Sequence, residues 1–98
     1  MTKSGEGALV TLTKPIKAHG DEVGELRLRE PTAGDIQACG YPLVIGHDES
    51  VSFDGSAMVK LIGRLAEIPP SSAQQLSFRD FQACATLIAS FFGDAQAA

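Results

Sequence analysis

The sequence predicts an α+β domain, an N-terminal β-hairpin packed against three or four short-to-medium helices. Three observations lead there. Two runs of period-two alternation lie within about 8–30, divided by a turn cluster. Apolar residues then recur at spacings of three and four over 58–65 and again over 78–92. Two short boxes, Thr32-Ala33-Gly34-Asp35 and Ser77-Phe78-Arg79-Asp80, have the composition of helix starts. At 98 residues the chain is read as one domain, 1–98, with an ordered core over about 8–93. A globule of this size buries roughly 60–65% of the surface its unfolded chain exposes, so the core is modest.

Residues 1–7 are glycine, serine, threonine and charge, a lead-in expected to fray. From Ala8, the side chains of Ala8, Val10 and Leu12 fall on one face and those of Leu9, Thr11 and Thr13 on the other. Pro15 lacks a ladder donor and is expected where that strand ends or leaves its sheet. His19-Gly20-Asp21 supplies the turn. In the second run Leu26 and Leu28 face the core, while Glu25, Arg27 and Arg29 face water. Pro31 ends the strand, because the residue before a proline favours extended backbone. Thr32 and Asp35 then form a capping box, with Ile36, Ala38 and Cys39 expected to face inward before Gly40.

Residues 40–55 are the least legible. Leu43-Val44-Ile45 reads equally as a third strand, a helical turn or a buried loop, with Phe53 as an anchor to the core. Met58, Leu61, Ile62 and Leu65 mark the next helix, expected to end near Ile68 ahead of Pro69-Pro70. Ser71 or Ser72 is expected to cap a brief turn running to Leu76. The strongest stripe follows: Phe78, Phe81, Cys84, Ala85, Ile88, Phe91 and Phe92, with Gly93 expected to stop it and 94–98 to fray. Leu61, Leu65, Phe81 and Ile88 are expected to be buried.

Composition excludes several function classes. Eight Lys and Arg against twelve Asp and Glu give a net charge of −4, which argues against a phosphate-backbone binder. The longest uncharged stretch near the C-terminus is alanine-rich and too short to span a bilayer, and Met1–Gly7 lacks an apolar leader run. Neither a membrane nor a nucleic acid is therefore an expected partner. Cys39 and Cys84 read as free, buried thiols of a reducing cytoplasm, with one long-range disulfide as the alternative.

Catalytic constellations are sparse. His19 lies in a turn. In His47-Asp48-Glu49 consecutive side chains diverge on an extended backbone, whereas a divalent metal wants three or four converging ligands. No Gly-x-Ser-x-Gly elbow, Walker pattern or Gly-x-Gly-x-x-Gly is present. The expectation is a non-enzyme without catalytic residues, metal or cofactor. Candidate partner contacts are Phe91 and Phe92, which are adjacent and so cannot share one direction on a helix, and Lys60 and Arg64, four apart on the outer helix face. For the latter pair a solvated helix back is the competing reading.

Four blocks carry a resemblance. They are Thr11-Leu12-Thr13-Lys14-Pro15-Ile16; Leu26-Arg27-Leu28-Arg29-Glu30-Pro31-Thr32-Ala33-Gly34-Asp35-Ile36; Lys60-Leu61-Ile62-Gly63-Arg64-Leu65 with a proline near 69; and Leu76-Ser77-Phe78-Arg79-Asp80-Phe81 before the last helix. In order and spacing they resemble the phage tail assembly chaperone family of contractile-tailed phages and Mu-like prophages, over most of residues 9–92. The stretch 40–55 departs from the family, whose members often run polar and helical there. The resemblance implies a non-catalytic chaperone in the bacterial host cytoplasm. It would bind the tape measure protein while the tail tube forms, be absent from the finished particle, and form a homo-oligomer through its helical layer. The competing functions are a structural or accessory tail component retained in the virion and a small metal-dependent enzyme centred on His47.

Overall fold

The computed structural model describes the backbone of residues 8–97 and the side chains of residues 8–91. The expected fraying of 1–7 and the direction of the Phe92 side chain lie outside the described residues. The elements run β1 (Ala8–Ala18), β2 (Asp21–Leu28), α1 (Ala33–Cys39), β3 (Leu43–Ile45), β4 (Val51–Phe53), α2 (Gly55–Ala66), α3 (Pro70–Ala73) and α4 (Phe78–Ala97). The fold is thus α+β, led by an antiparallel hairpin as expected, with a second small hairpin, β3–β4, added.

β1 and β2 meet through His19 and Gly20, whose φ angles are +56° and +82°. Positive φ at both central residues matches the right-handed twist of a two-residue hairpin, and glycine takes it without a steric cost. The register then breaks. Thr11 pairs with Glu25 but Ile16 pairs with Val23, so residues 12–15 oppose Gly24 alone. This bulge is where Pro15 sits, so β1 continues through the proline to Ala18 instead of ending there. A bulge needs no ladder donor from its extra residues, which is why the proline is tolerated.

The apolar face of the hairpin (Val10, Leu12, Ile16, Leu26 and Leu28) packs against Met58, Leu61, Ile62 and Leu65 of α2 and Cys84, Ala85 and Ile88 of α4. α4 lies mainly on β1 and α2 mainly on β2. A lone hairpin is marginal in water, and this helical cover supplies the missing burial. Phe53 packs against the rim of the same core.

Several boundaries differ from expectation. α2 closes at Ala66 because Glu67 adopts the left-handed region, φ 61°. Its N–H bonds Arg64, and Ile68 N–H bonds the Gly63 carbonyl at 2.9 Å, a Schellman closure. α3 starts from Pro69 without a side-chain cap; neither Ser71 nor Ser72 caps it, and Ser72 is buried. Proline in the first turn needs no N–H partner, so a capping hydroxyl is dispensable. α4 runs past Gly93 to Ala97, since one glycine costs only about 1 kcal/mol among the helix-forming Ala and Gln that follow. Ala38 is exposed and Cys39 half-buried, because only Asp35 of short α1 is buried outright.

Candidate protein-binding surface

Both Ser/Thr-x-x-Asp boxes begin helices, and both aspartates are buried to 1% exposure. Asp35 closes the capping box: the Thr32 N–H donates to its Oδ2 at 2.8 Å, and the Asp35 N–H reaches Thr32 Oγ1. It also gathers two guanidiniums. Arg29 donates through Nη1 and Nη2 at 2.8 and 2.9 Å, and Arg64 through Nε at 2.6 Å. Arg29 above all holds the Asp35 carboxyl well below the usual carboxylate range, against the opposing effect of burial, with Thr32 and Arg64 adding to the depression. Three separate elements, the end of β2, α1 and α2, are tied together at this one carboxylate.

Asp80 behaves differently. Its own N–H is capped by Ser77 Oγ at 3.2 Å. Its carboxylate crosses to the β1 bulge and accepts from Thr13 N–H at 2.9 and 3.1 Å, Thr13 Oγ1 at 3.1 Å and Lys14 N–H at 3.2 Å. Burial pushes this carboxyl up, but the Thr13, Lys14 and Ser77 donors outweigh it, and the net shift is downward. One residue group further along β1, Lys17 N–H donates to Gln75 Oε1 at 2.9 Å and Gln75 Nε2 returns to Lys17 O at 3.2 Å. The outer edge of β1 is therefore blunted by side chains from the α3–α4 segment.

Both carboxylates are saturated by protein donors and serve architecture. Among the described residues, no three of His, Cys, Asp and Glu converge to hold a metal. His19 meets the Glu67 carbonyl at 3.2 Å through Nε2, and His47 lies exposed in the β3–β4 loop. Both cysteines are free; burial pushes the Cys84 thiol up to about 11, away from a reactive thiolate. Among the described residues, no helix is long and apolar enough to cross a membrane.

What the surface offers instead is apolar area. Phe78 is 74% exposed, which corrects its expected place in the core stripe. The buried arc of α4 runs through Asp80, Cys84, Ala85 and Ile88, so the charged residue occupies the inward position and Phe78 is displaced to the edge. Phe81 is only half-buried, correcting its expected full burial, and its ring stacks on Phe78 at a centroid distance of 6.4 Å. Together with Val59, Ala73 and Leu76 they line a depression of about 360 Å³. Ile45, Val51 and Val44 on the small hairpin are also exposed.

The depression beside Phe78 adjoins two others. It shares Gly55, Val59 and Gln74 with a neighbour that reaches Lys60 and Pro70. That neighbour shares Lys60 and Pro70 with a third, which ends at Cys39 and Arg64. The result is a furrow along the outer face of α2, walled by α3 and closed at one end by the first turn of α4. Of the candidate contacts named from sequence, Lys60 and Arg64 both line it, Phe91 lies half-buried against the core rim, and the Phe92 side chain is not described. Phe78 was the residue missed. Its signal was positional: it is the first residue after the Ser77 cap. A first-turn side chain leans back past the helix end rather than onto the core.

A family model described as phage tail assembly chaperone proteins, E, or 41 or 14, matches residues 9–93, and the chain belongs to that family. No curated protein and no solved structure matches it.

Proposed function

We propose that this member of the phage tail assembly chaperone family is a non-catalytic protein that binds the tape measure protein during tail tube assembly in the host cytoplasm. The carrying observation is Phe78, an aromatic ring three-quarters exposed beside an apolar depression that its own core leaves unfilled. Isolated exposed apolar residues are ordinary, whereas a large ring rimming a concave apolar surface marks a place where another chain buries area. A tape measure protein is long and helical and exposes apolar stripes before it is enclosed. A small acidic partner keeps such stripes soluble, and the modest area lets it leave later.

The test is co-expression with the tape measure protein of the same tail gene cluster. A stoichiometric complex from lysate, together with absence of this protein from purified particles by mass spectrometry, is the expected result. Presence in the particle at fixed copy number would make it a retained tail component. Sedimentation of the free protein checks self-association. Phe91→Ser and Phe92→Ser test a C-terminal anchor: loss of binding at unchanged melting temperature would assign it there.

A further inference from the structure

The furrow has a polarity. At one end its lining is apolar, with Val59, Leu76, Phe78 and Phe81; at the other its charged groups are Lys60 and Arg64. No carboxylate lines any of the three adjoining depressions, although acidic residues outnumber basic ones twelve to eight in the chain. The charge of the furrow is thus cationic and confined to the end away from Phe78. Among the described residues Lys60 makes no hydrogen bond or ion pair; its charge acts on the neighbouring Cys39 thiol, which lines the same end.

Arg64 is set up in a particular way. Its Nε is held by Asp35, which fixes the plane of the guanidinium, yet its side chain remains 48% exposed. Among the described residues its two terminal nitrogens have no hydrogen-bond partner. Those are the atoms that grip a carboxylate in a paired fork. Asp35 cannot neutralise the cluster, because Arg29 already binds it through both terminal nitrogens. Glu67 also acts on Arg29, so what stays unmatched at this end is the exposed terminal fork of Arg64.

We propose that the furrow docks a single amphipathic segment of the partner protein, with an apolar side chain seated against Phe78 and an acidic side chain bound by Lys60 and Arg64. The proposal rests on the chaperone reading and narrows it to a place and a chemistry. Gly55 to Arg64 spans about 14 Å along α2 at about 1.5 Å per residue. A helical segment would therefore carry its anchor and its acid roughly two to three turns apart. The apolar end supplies affinity, and the cationic end fixes direction and speeds encounter.

The first test uses wild type, Phe78→Ser, Lys60→Glu and, as a control on the outer hairpin face, Leu9→Ser, against tiled tape measure fragments by calorimetry at low and high salt. All three substituted positions are exposed, so folding is checked by circular dichroism and is expected to be unchanged. Phe78→Ser should weaken binding by about tenfold or more. Lys60→Glu should weaken it several-fold and remove most of the salt dependence, with Leu9→Ser unaffected. If a fragment binds wild type and both furrow variants equally, the furrow is wrong while the chaperone reading stands. The second test is independent of the tape measure protein. It uses two synthetic amphipathic helical peptides, identical except for glutamate or lysine at the flank, followed by amide NMR shifts. Preferential binding of the glutamate peptide, with shifts at Val59, Lys60, Gln74 and Phe78, supports the site even if no tape measure fragment binds. Equal binding of the two peptides, or shifts elsewhere, overturns it. A dimer of the free protein that Phe78→Ser converts to monomer would also overturn it, assigning the furrow to a second copy.

Discussion

Thr32–Asp35 and Ser77–Asp80 are the same four-residue signal at the start of two helices, and they end in different structures. The first closes on itself and then collects Arg29 and Arg64, both of which retain contact with water. The second caps its helix through Ser77 but sends its carboxylate 67 positions back in sequence, to the backbone of the β1 bulge. One box is a local motif with an ionic shell. The other is a tertiary latch whose partners are neutral amides that no other described group satisfies. A side-chain pattern specifies a helix start well, but the fate of the spare carboxylate oxygens depends on what the rest of the chain brings near. The latch also explains how β1 passes Pro15: the bulge exposes the Thr13 and Lys14 amides, and Asp80 is there to accept them.

The difference sets the largest expected effect. Asp80→Ala strands the Thr13 and Lys14 amides under α4 and unties α4 from β1, the contact that covers half the hairpin. Thr13 and Lys14 are themselves exposed, so the loss is that of part-buried hydrogen bonds to a charged acceptor, about 1.5–3 kcal/mol each. A loss of about 3–5 kcal/mol is expected, read as a fall in the urea midpoint, and for a domain of this size that approaches unfolding. A loss under about 1 kcal/mol would mean that water replaces the carboxylate and that there is no latch.

Asp35→Ala should cost less, about 1.5–3 kcal/mol. Arg29 and Arg64 are partly exposed, so each can recover hydration when its partner is removed. The loss should come from the cap and from the junction of β2, α1 and α2. If Asp35→Ala proves more damaging than Asp80→Ala, the ranking of ionic shell below amide latch is reversed. Comparing both variants at low and at high salt sharpens the point: salt should weaken the contribution of Asp35 and leave that of Asp80 nearly unchanged.

Acid acts on both boxes in the same direction. Both carboxyls have folded values below the ordinary aspartate value of 3.8. A depressed folded value contributes stability that is complete above the unfolded value and lost as pH falls through the folded one. The protein should therefore hold its full stability at pH 5 and lose it progressively below about pH 4. Asp35→Asn and Asp80→Asn, each already less stable at pH 7, should lose less than wild type between pH 5 and pH 2.5. An acid limb of unchanged slope in both would show that other carboxylates govern it.

Much of this was legible beforehand. The alternation of Val10, Leu12, Leu26 and Leu28 gave the hairpin and its buried face. The spacing of Met58, Leu61, Ile62 and Leu65 gave α2, and Lys60 with Arg64 followed from the same periodicity as its outer face. Local rules suffice there because each residue's neighbours are set by its own element. The small hairpin was not legible: β3 and β4 are three residues each, and Leu43-Val44-Ile45 does not alternate, so no period distinguishes strand from helix or loop. The exposure of Phe78 is legible only from its place after the Ser77 cap, not from the apolar stripe. Apolar character places Phe78 in the inward stripe, and the donors of the bulge draw Asp80 to the inward position instead. That reversal is a long-range hydrogen-bonding fact, which a stripe cannot encode.

The smallest effect tests the shared part of the two boxes. Ser77→Ala removes the oxygen that accepts the Asp80 N–H at 3.2 Å, and Thr32→Ala removes the one that accepts the Asp35 N–H at 3.4 Å. Loss of an N-cap hydroxyl typically costs about 1 kcal/mol. The two should differ slightly and in a defined direction. Thr32 Oγ1 also donates to Asp35 Oδ2 at 3.1 Å, but Asp35 keeps the Thr32 N–H and both arginines after the substitution. The Ser77 hydroxyl helps hold the Asp80 carboxyl charged beneath α4, where its remaining donors are Thr13 and Lys14 alone. Ser77→Ala should therefore cost the full cap and slightly more, about 1–1.5 kcal/mol, and Thr32→Ala about 0.5–1 kcal/mol. A double-mutant cycle of Ser77→Ala with Asp80→Asn should show coupling, because the serine acts partly through that carboxylate. Strict additivity in the cycle would reduce Ser77 to an ordinary cap and leave Asp80 as a latch that needs no help from its own box.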